Sequence, residues 1–128
     1  MESWTVEIVE EFDSELVHLP LKVREEIAAM ILLLQTFGPQ LGRPRVDTLK
    51  DSKHANMKEL RFDANDGVWR LAFAFDPRRR AILLVAGDKA GVGQKRFYKE
   101  LIRKADLRFD AHLERLRKGS KDYGKERK

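Results

Sequence analysis

MKELRFDANDGVWRLAFAFDPRRRAILLVAG, residues 57–87, reads as three strands joined by two tight turns. Met57 to Phe62 is the first strand. Asp63-Ala64-Asn65-Asp66-Gly67 is rich in residues that tolerate a left-handed backbone and predicts a turn. In Val68 to Phe75 the bulky residues Trp69, Leu71, Phe73 and Phe75 alternate with Arg70, Ala72 and Ala74, the period of two that marks a strand. Asp76-Pro77-Arg78-Arg79 predicts a second turn, with proline presetting φ. Ala81 to Ala86 is apolar throughout and predicts a strand buried on both faces.

The alternation also predicts a register. Pairing Phe62 with Trp69 matches core side chains, puts Leu60 opposite Leu71, and puts Arg61 opposite Arg70. Like charges facing each other destabilise a sheet. The pair therefore points to an anion that both guanidinium groups hold, with Glu59, next along the same face, as the alternative partner. Lys89, just past the third strand, is expected beside the mouth of this face, and the preceding loop adds Lys50, Lys53 and His54. Together these cations resemble a phosphate clamp.

Upstream, Trp4 to Val9 alternates as a half-buried strand, and Phe12, Leu16 and Leu19 share one face of a short helix spanning 12–19. Pro20 can open a second helix, in which Val23, Ile27, Met30, Ile31 and Leu34 recur at helical spacing until Gly38-Pro39 ends it. Residues 40–56 show no period and predict a long loop holding at most a short extended piece; loops of this length are often functional. Downstream, Tyr98, Leu101, Ile102, Ala105, Phe109, Leu113 and Leu116 form the apolar stripe of a helix from Gln94 to Leu116.

The order is strand, two helices, three-stranded meander, helix. It predicts one α+β domain over residues 1–116, with the N-terminal strand and the meander in a small antiparallel sheet against three helices. Residues 117–128 predict a basic, mobile tail.

The 128 residues fit a single core, and the absence of cysteine excludes disulfides, thiolate catalysis and cysteine-rich zinc sites and predicts a reducing, cytoplasmic setting. The longest strongly apolar run, Ile27 to Leu34, is too short to span a bilayer, and the first four residues show no sign of a secretory signal. Net charge is +5 but unevenly spread: residues 1–26 hold eight acids and two bases, residues 89–128 fourteen bases and six acids. A basic C-terminal third implies either a solvated face or a polyanionic partner drawn in by counterion release.

The segments MKELRF (57–62), GVWRLAF (67–73), AILLVAGDK (81–89) and FYKELIRKA (97–105) resemble the phage-derived, HigB-like branch of the RelE/ParE toxin superfamily, and the element order agrees from about residue 1 to residue 115. The resemblance implies a RelE-like fold and a toxin of a type II toxin–antitoxin module. RelE- and HigB-type members cut mRNA on the ribosome without a metal or cofactor; ParE-type members share the fold but act on DNA gyrase. It also implies an antitoxin partner carrying a helix-turn-helix DNA-binding domain. By position, the family's strand arginines map onto Arg61 and Arg70 and its late basic residue onto Lys89; Tyr98 and His112 are the available C-terminal tyrosine and histidine. For such an RNase, Lys53 or His54 is the expected base, His54 being better matched to neutral pH. Lys50 and the helix arginines Arg96, Arg103 and Arg108 are the expected RNA contacts, giving affinity rather than sequence choice.

Overall fold

A computed structural model describes residues 3–126, and the side chains of residues 3–119. The elements are β1 (Thr5–Ile8), α1 (Glu10–Leu16), α2 (Leu21–Phe37), a 3-10 turn (Gly38–Gln40), β2 (Val46–Thr48), β3 (Lys58–Ala64), β4 (Gly67–Phe75), β5 (Arg80–Asp88) and α3 (Gln94–Glu126). They form an α+β fold around one five-stranded sheet, order β1-β5-β4-β3-β2.

The meander has the register that the alternation predicts: Leu60 opposite Leu71, Arg61 opposite Arg70, Phe62 opposite Trp69. Asn65 and Asp66, both with positive φ (51° and 62°), close the β3–β4 hairpin. That is the backbone a two-residue turn needs to match strand twist, and asparagine and aspartate tolerate it. Between β4 and β5 the register shifts by one residue: Ala72 faces Val85 while Phe73 faces Leu83, which leaves Leu84 as a bulge.

Three differences from the sequence reading have physical causes. The sheet is mixed rather than antiparallel, because β1 lies parallel to the first half of β5, Thr5 beside Arg80 through Ile8 beside Leu83. Parallel neighbours need a long connection, so no local turn announces the pairing. The loop 40–56 holds a true strand, β2, antiparallel to β3 with Val46 opposite Leu60. And α3, expected to end at Leu116, continues as helix through Glu126, while residues 127–128 of the expected tail lie outside the described residues. Segment 117–126 contains no proline, half of its ten residues are lysine, arginine or glutamate, good helix formers, and Arg117 pairs with Glu114 one turn back.

Both sheet faces are covered. α2 packs against β1 and β3, and α3 against β4 and β5. Val23, Ile27, Met30 and Leu34 are the buried stripe of α2. Ala72 and Ala74 are fully buried. They are no open floor for a ligand: their small side chains let α3, with Ala105 and Phe109 also buried, lie close on the strands.

Candidate functional site

On the α3 side of β3, between residues 47–51 and the first three turns of α3, runs a groove of about 860 Å³. Lys50, Arg61, Lys89, Lys95, Lys99 and Arg103 line it against three acids, Asp47, Asp51 and Glu59. Tyr98 and Ile102 supply its aromatic and apolar wall. The sequence reading brought Lys50, Arg61 and Lys89 to this place and put Arg103 in the helix beside it. It missed Lys95 and Lys99, although Lys95, Lys99 and Arg103 recur every four residues and so share one helix face.

At the groove's base, Glu59 is 3% exposed and is shared by three groups. Its Oε2 accepts from Arg61 Nε at 3.1 Å, and its Oε1 accepts from the Tyr98 hydroxyl at 2.8 Å. Arg70 Nε lies 3.7 Å from the same Oε1 and donates to the Tyr98 hydroxyl oxygen at 3.3 Å. The two arginines face each other as predicted, but across the protein's own carboxylate, the alternative partner that the sequence offered. Their exposures differ: the Arg61 side chain is 38% exposed and reaches toward Asp47 at 3.5 Å, whereas Arg70 is 11% exposed, does not line the groove and also bonds the Trp69 carbonyl oxygen at 2.9 Å. Lys89 Nζ stands 5.8 Å from the Tyr98 ring centre, a cation–π distance. Burial pushes the Tyr98 hydroxyl above its ordinary range and the Glu59 carboxylate pushes the same way, while Arg70 opposes both.

Tyr98 falls on the apolar stripe of α3, yet its hydroxyl is the hub of this network. A tyrosine on a core stripe keeps a polar tip that must find partners, and here the sheet supplies them.

Lys53 and His54 are elsewhere. Lys53 Nζ lies 2.5 Å and His54 Nε2 2.8 Å from the Asp110 carboxylate. Asp110 is twelve residues beyond Tyr98, roughly 18 Å along the helix axis. The structure therefore does not bring either of them beside the arginines. Their loop enters β3 at Lys58, at the end of the sheet where Asn56 Nδ2 donates to the Phe75 carbonyl oxygen, while Arg61 lies toward the hairpin. Closeness in sequence did not fix the loop's direction.

Arg108 also lies away from the groove. It grips Glu15 with Nη1 at 2.8 Å and Nη2 at 2.7 Å and donates to the Leu84 carbonyl oxygen at 2.8 Å, fastening α1 to α3 and the sheet. Arg96 lines a separate apolar hollow of about 200 Å³ with Val85, Val92 and Phe97. Arg103 borders the groove while bonding Glu100 through two nitrogens at 3.1 and 3.0 Å. His112 is 7% exposed and sits 2.9 Å from Asp76, at the far end of the sheet. Among the described residues, no helix is long and apolar enough to cross a membrane.

The five-stranded sheet clasped by a long C-terminal helix is similar in fold to a solved RelE toxin. The free state of an arginine double mutant of the E. coli toxin RelE superposes with a TM-score of 0.57 at 12% identity, covering 80% of this chain and 96% of that one. The chain belongs to the family described as phage-derived protein Gp49-like (DUF891), whose profile matches residues 14–110. It is 44% identical over 111 residues to a candidate toxin, HigB2, of Mycobacterium tuberculosis (strain ATCC 25618 / H37Rv), covering 86% of this chain and 54% of that protein. A second candidate toxin of the same strain, HigB3, is 52% identical over 87 residues, covering 68% of this chain and 74% of that protein. The chain thus spans about half the length of the first relative and about three quarters of the second.

Proposed function

We propose that this chain is the toxin of a type II toxin–antitoxin module, a ribosome-dependent endoribonuclease that cuts mRNA in the cytoplasm without a metal and is restrained by an antitoxin with a helix-turn-helix domain. The observation that carries this reading is the groove: six cations against three acids, with Arg61, Lys89 and Tyr98 converging on one wall-to-wall cleft. A cationic groove of this kind draws in a phosphate backbone, and guanidinium groups bind phosphate oxygens in a planar fork. Similarity to the two candidate toxins supports the same class.

The chemistry that fits is attack of an RNA 2′-hydroxyl on the adjacent phosphorus, with the P–O5′ bond breaking to leave a 2′,3′-cyclic phosphate and a 5′-hydroxyl. Arg61 holds the phosphate, exchanging Glu59 for a phosphate oxygen. Arg70 supports the same charge from behind Tyr98. Lys89 protonates the departing 5′-oxygen. The proton of the 2′-hydroxyl passes to the Tyr98 oxygen while the Tyr98 proton passes to Glu59 Oε1, the pair already hydrogen-bonded at 2.8 Å. This pair takes the role that the sequence reading gave to Lys53 or His54.

The test is primer extension on mRNA translated with and without the protein, on purified ribosomes. Discrete new ends within coding sequence, carrying a cyclic phosphate and lost in Arg61→Ala, are expected. Intact mRNA together with gyrase-linked DNA breaks would overturn the nuclease reading in favour of a ParE-like toxin.

A further inference from the structure

Lys53 and His54 are left without a part in the chemistry, yet they belong to a dense set of contacts. Ser52 Oγ donates to Asp106 Oδ1 at 2.5 Å, and the Lys53 amide donates to Asp106 Oδ2 at 3.2 Å. The His54 amide donates to Ser52 Oγ at 3.0 Å. One helical turn further along α3, Asp110 takes the Lys53 ammonium and the His54 ring, and that ring stands edge-on to Phe109 at 4.9 Å. Two carboxylates on successive turns of α3 thus hold three consecutive loop residues. The loop residues just before them, Lys50 and Asp51, are the groove wall opposite Lys99 and Arg103.

The geometry points to Ser52, Lys53 and His54 as positioning residues: clasped by Asp106 and Asp110, they fix the 47–51 wall against α3 and so set the width of the RNA groove. This rests on the nuclease reading above for its substrate. Apart from the clasp, the segment is held by the three-residue β2 ladder, by buried Leu49, whose amide donates to the Met57 carbonyl oxygen at 2.9 Å, and by Asn56, which donates to the Phe75 carbonyl oxygen at 2.7 Å. Residues 50–55 have no strand partner among the described residues, and their backbone–backbone bonds are the local turns Ser52 to Leu49 and Met57 to His54. The clasp joins residues more than fifty positions apart. Without it, Lys50 and Asp51 are free to swing away from the α3 cations, and the phosphate contacts that need both walls weaken. Proton transfer at Tyr98 and Glu59 is left intact, since neither touches the clasp.

The test sets two variants against each other. Lys53→Arg/His54→Gln keeps a donor at each position but removes the imidazole. Asp106→Ala/Asp110→Ala keeps both loop residues and removes what holds them. Ribosome-programmed cleavage gives KM and kcat, anisotropy gives the affinity for a single-stranded RNA oligonucleotide, and hydrogen–deuterium exchange reads residues 49–56. The donor-preserving variant is expected to match wild type in all three. The carboxylate-free variant is expected to raise KM and weaken RNA affinity about tenfold, as for loss of one or two net hydrogen bonds, with kcat unchanged and faster exchange confined to 49–56. A fall in kcat in the donor-preserving variant would make Lys53 or His54 a chemical participant and overturn the proposal. So would unchanged exchange and affinity in the carboxylate-free variant. If wild-type protein cuts no mRNA, the proposed function fails, while exchange and RNA affinity still decide the clasp.

Discussion

Along the middle of β4, where Glu59 faces Ala72, a buried carboxylate sits among two arginines and a tyrosine; at the β4–β5 end of the sheet another, Asp76, sits among an arginine, a histidine and backbone N–H groups. The ingredients are nearly the same and the outcomes differ. Asp76 is saturated: it accepts from the amides of Arg78 and Arg80 at 3.0 Å, from Arg80 Nε and Nη2 at 3.1 and 3.0 Å, and sits 2.9 Å from His112 Nε2. Its side chain is 0% exposed and Arg80 is held further by Glu7 at 3.2 Å. Glu59 is as deeply placed, but Arg61 above it is 38% exposed and faces a groove richer in cations than acids. One site is a closed knot that fixes the β4–β5 turn to α3. The other leaves cationic valence open to a polyanion. Burial of a carboxylate is common to both, so what sets the proposed RNA site apart is the unspent charge around it.

The comparison can be broken most sharply at the closed site. Asp76→Asn should cost about 3–5 kcal/mol of stability, because Arg80 and His112 lose the partner that allows their burial. Melting by circular dichroism checks this. Burial alone would raise the Asp76 pKa, but hydrogen bonds from His112 and Arg80 more than offset it and hold the carboxyl below the ordinary aspartate range. A depressed carboxylate contributes stability above its unfolded value, and that contribution disappears as pH falls through the folded value. Wild type should therefore lose stability below about pH 4 more steeply than Asp76→Asn.

At the open site, Arg61→Ala should leave the melting temperature nearly unchanged and slow single-turnover cleavage about 100-fold or more, the range for losing one preorganised charge contact. An equally active Arg61→Ala protein would remove the phosphate role. Tyr98→Phe should slow cleavage by about 100-fold with little loss of RNA affinity, as expected for a group that moves a proton. Between the two sites, Arg108→Ala should lower stability by about 1.5–3 kcal/mol through loss of charged hydrogen bonds, and RNA affinity at saturating folded protein should hold steady. The smallest effect belongs to Lys99→Ala: a few-fold weaker binding, with the salt dependence of the affinity reduced by about one counterion.

What the sequence showed, and what it hid, follows the range of the interactions. The Arg61–Arg70 pairing is legible because a two-residue turn and a period of two are local and leave one sensible register. Glu59 is visible as the neighbour of Arg61, though not that its carboxylate also binds Tyr98, thirty-nine residues away. β1 as a strand is legible, but its place beside β5 is not, since a parallel partner some seventy-five residues away leaves no turn signal. Arg108 reads as one more helical cation until α1 arrives beside it with Glu15. His54 is the instructive miss: a histidine a few residues before an arginine-bearing strand, carried by its loop toward the other end of α3.

The parallel pairing of β1 with β5 has a temporal consequence. A nascent chain cannot seat its first strand until Leu83 has left the ribosome, nor fasten α1 until Arg108 has followed, so the closing contacts of this high-separation topology wait for α3 to emerge. A prematurely terminated product lacking the start of α3 carries Arg61 and Arg70 without the tyrosine that joins them. For a protein proposed to attack the machinery that makes it, the fold arms itself only once α3 has been made.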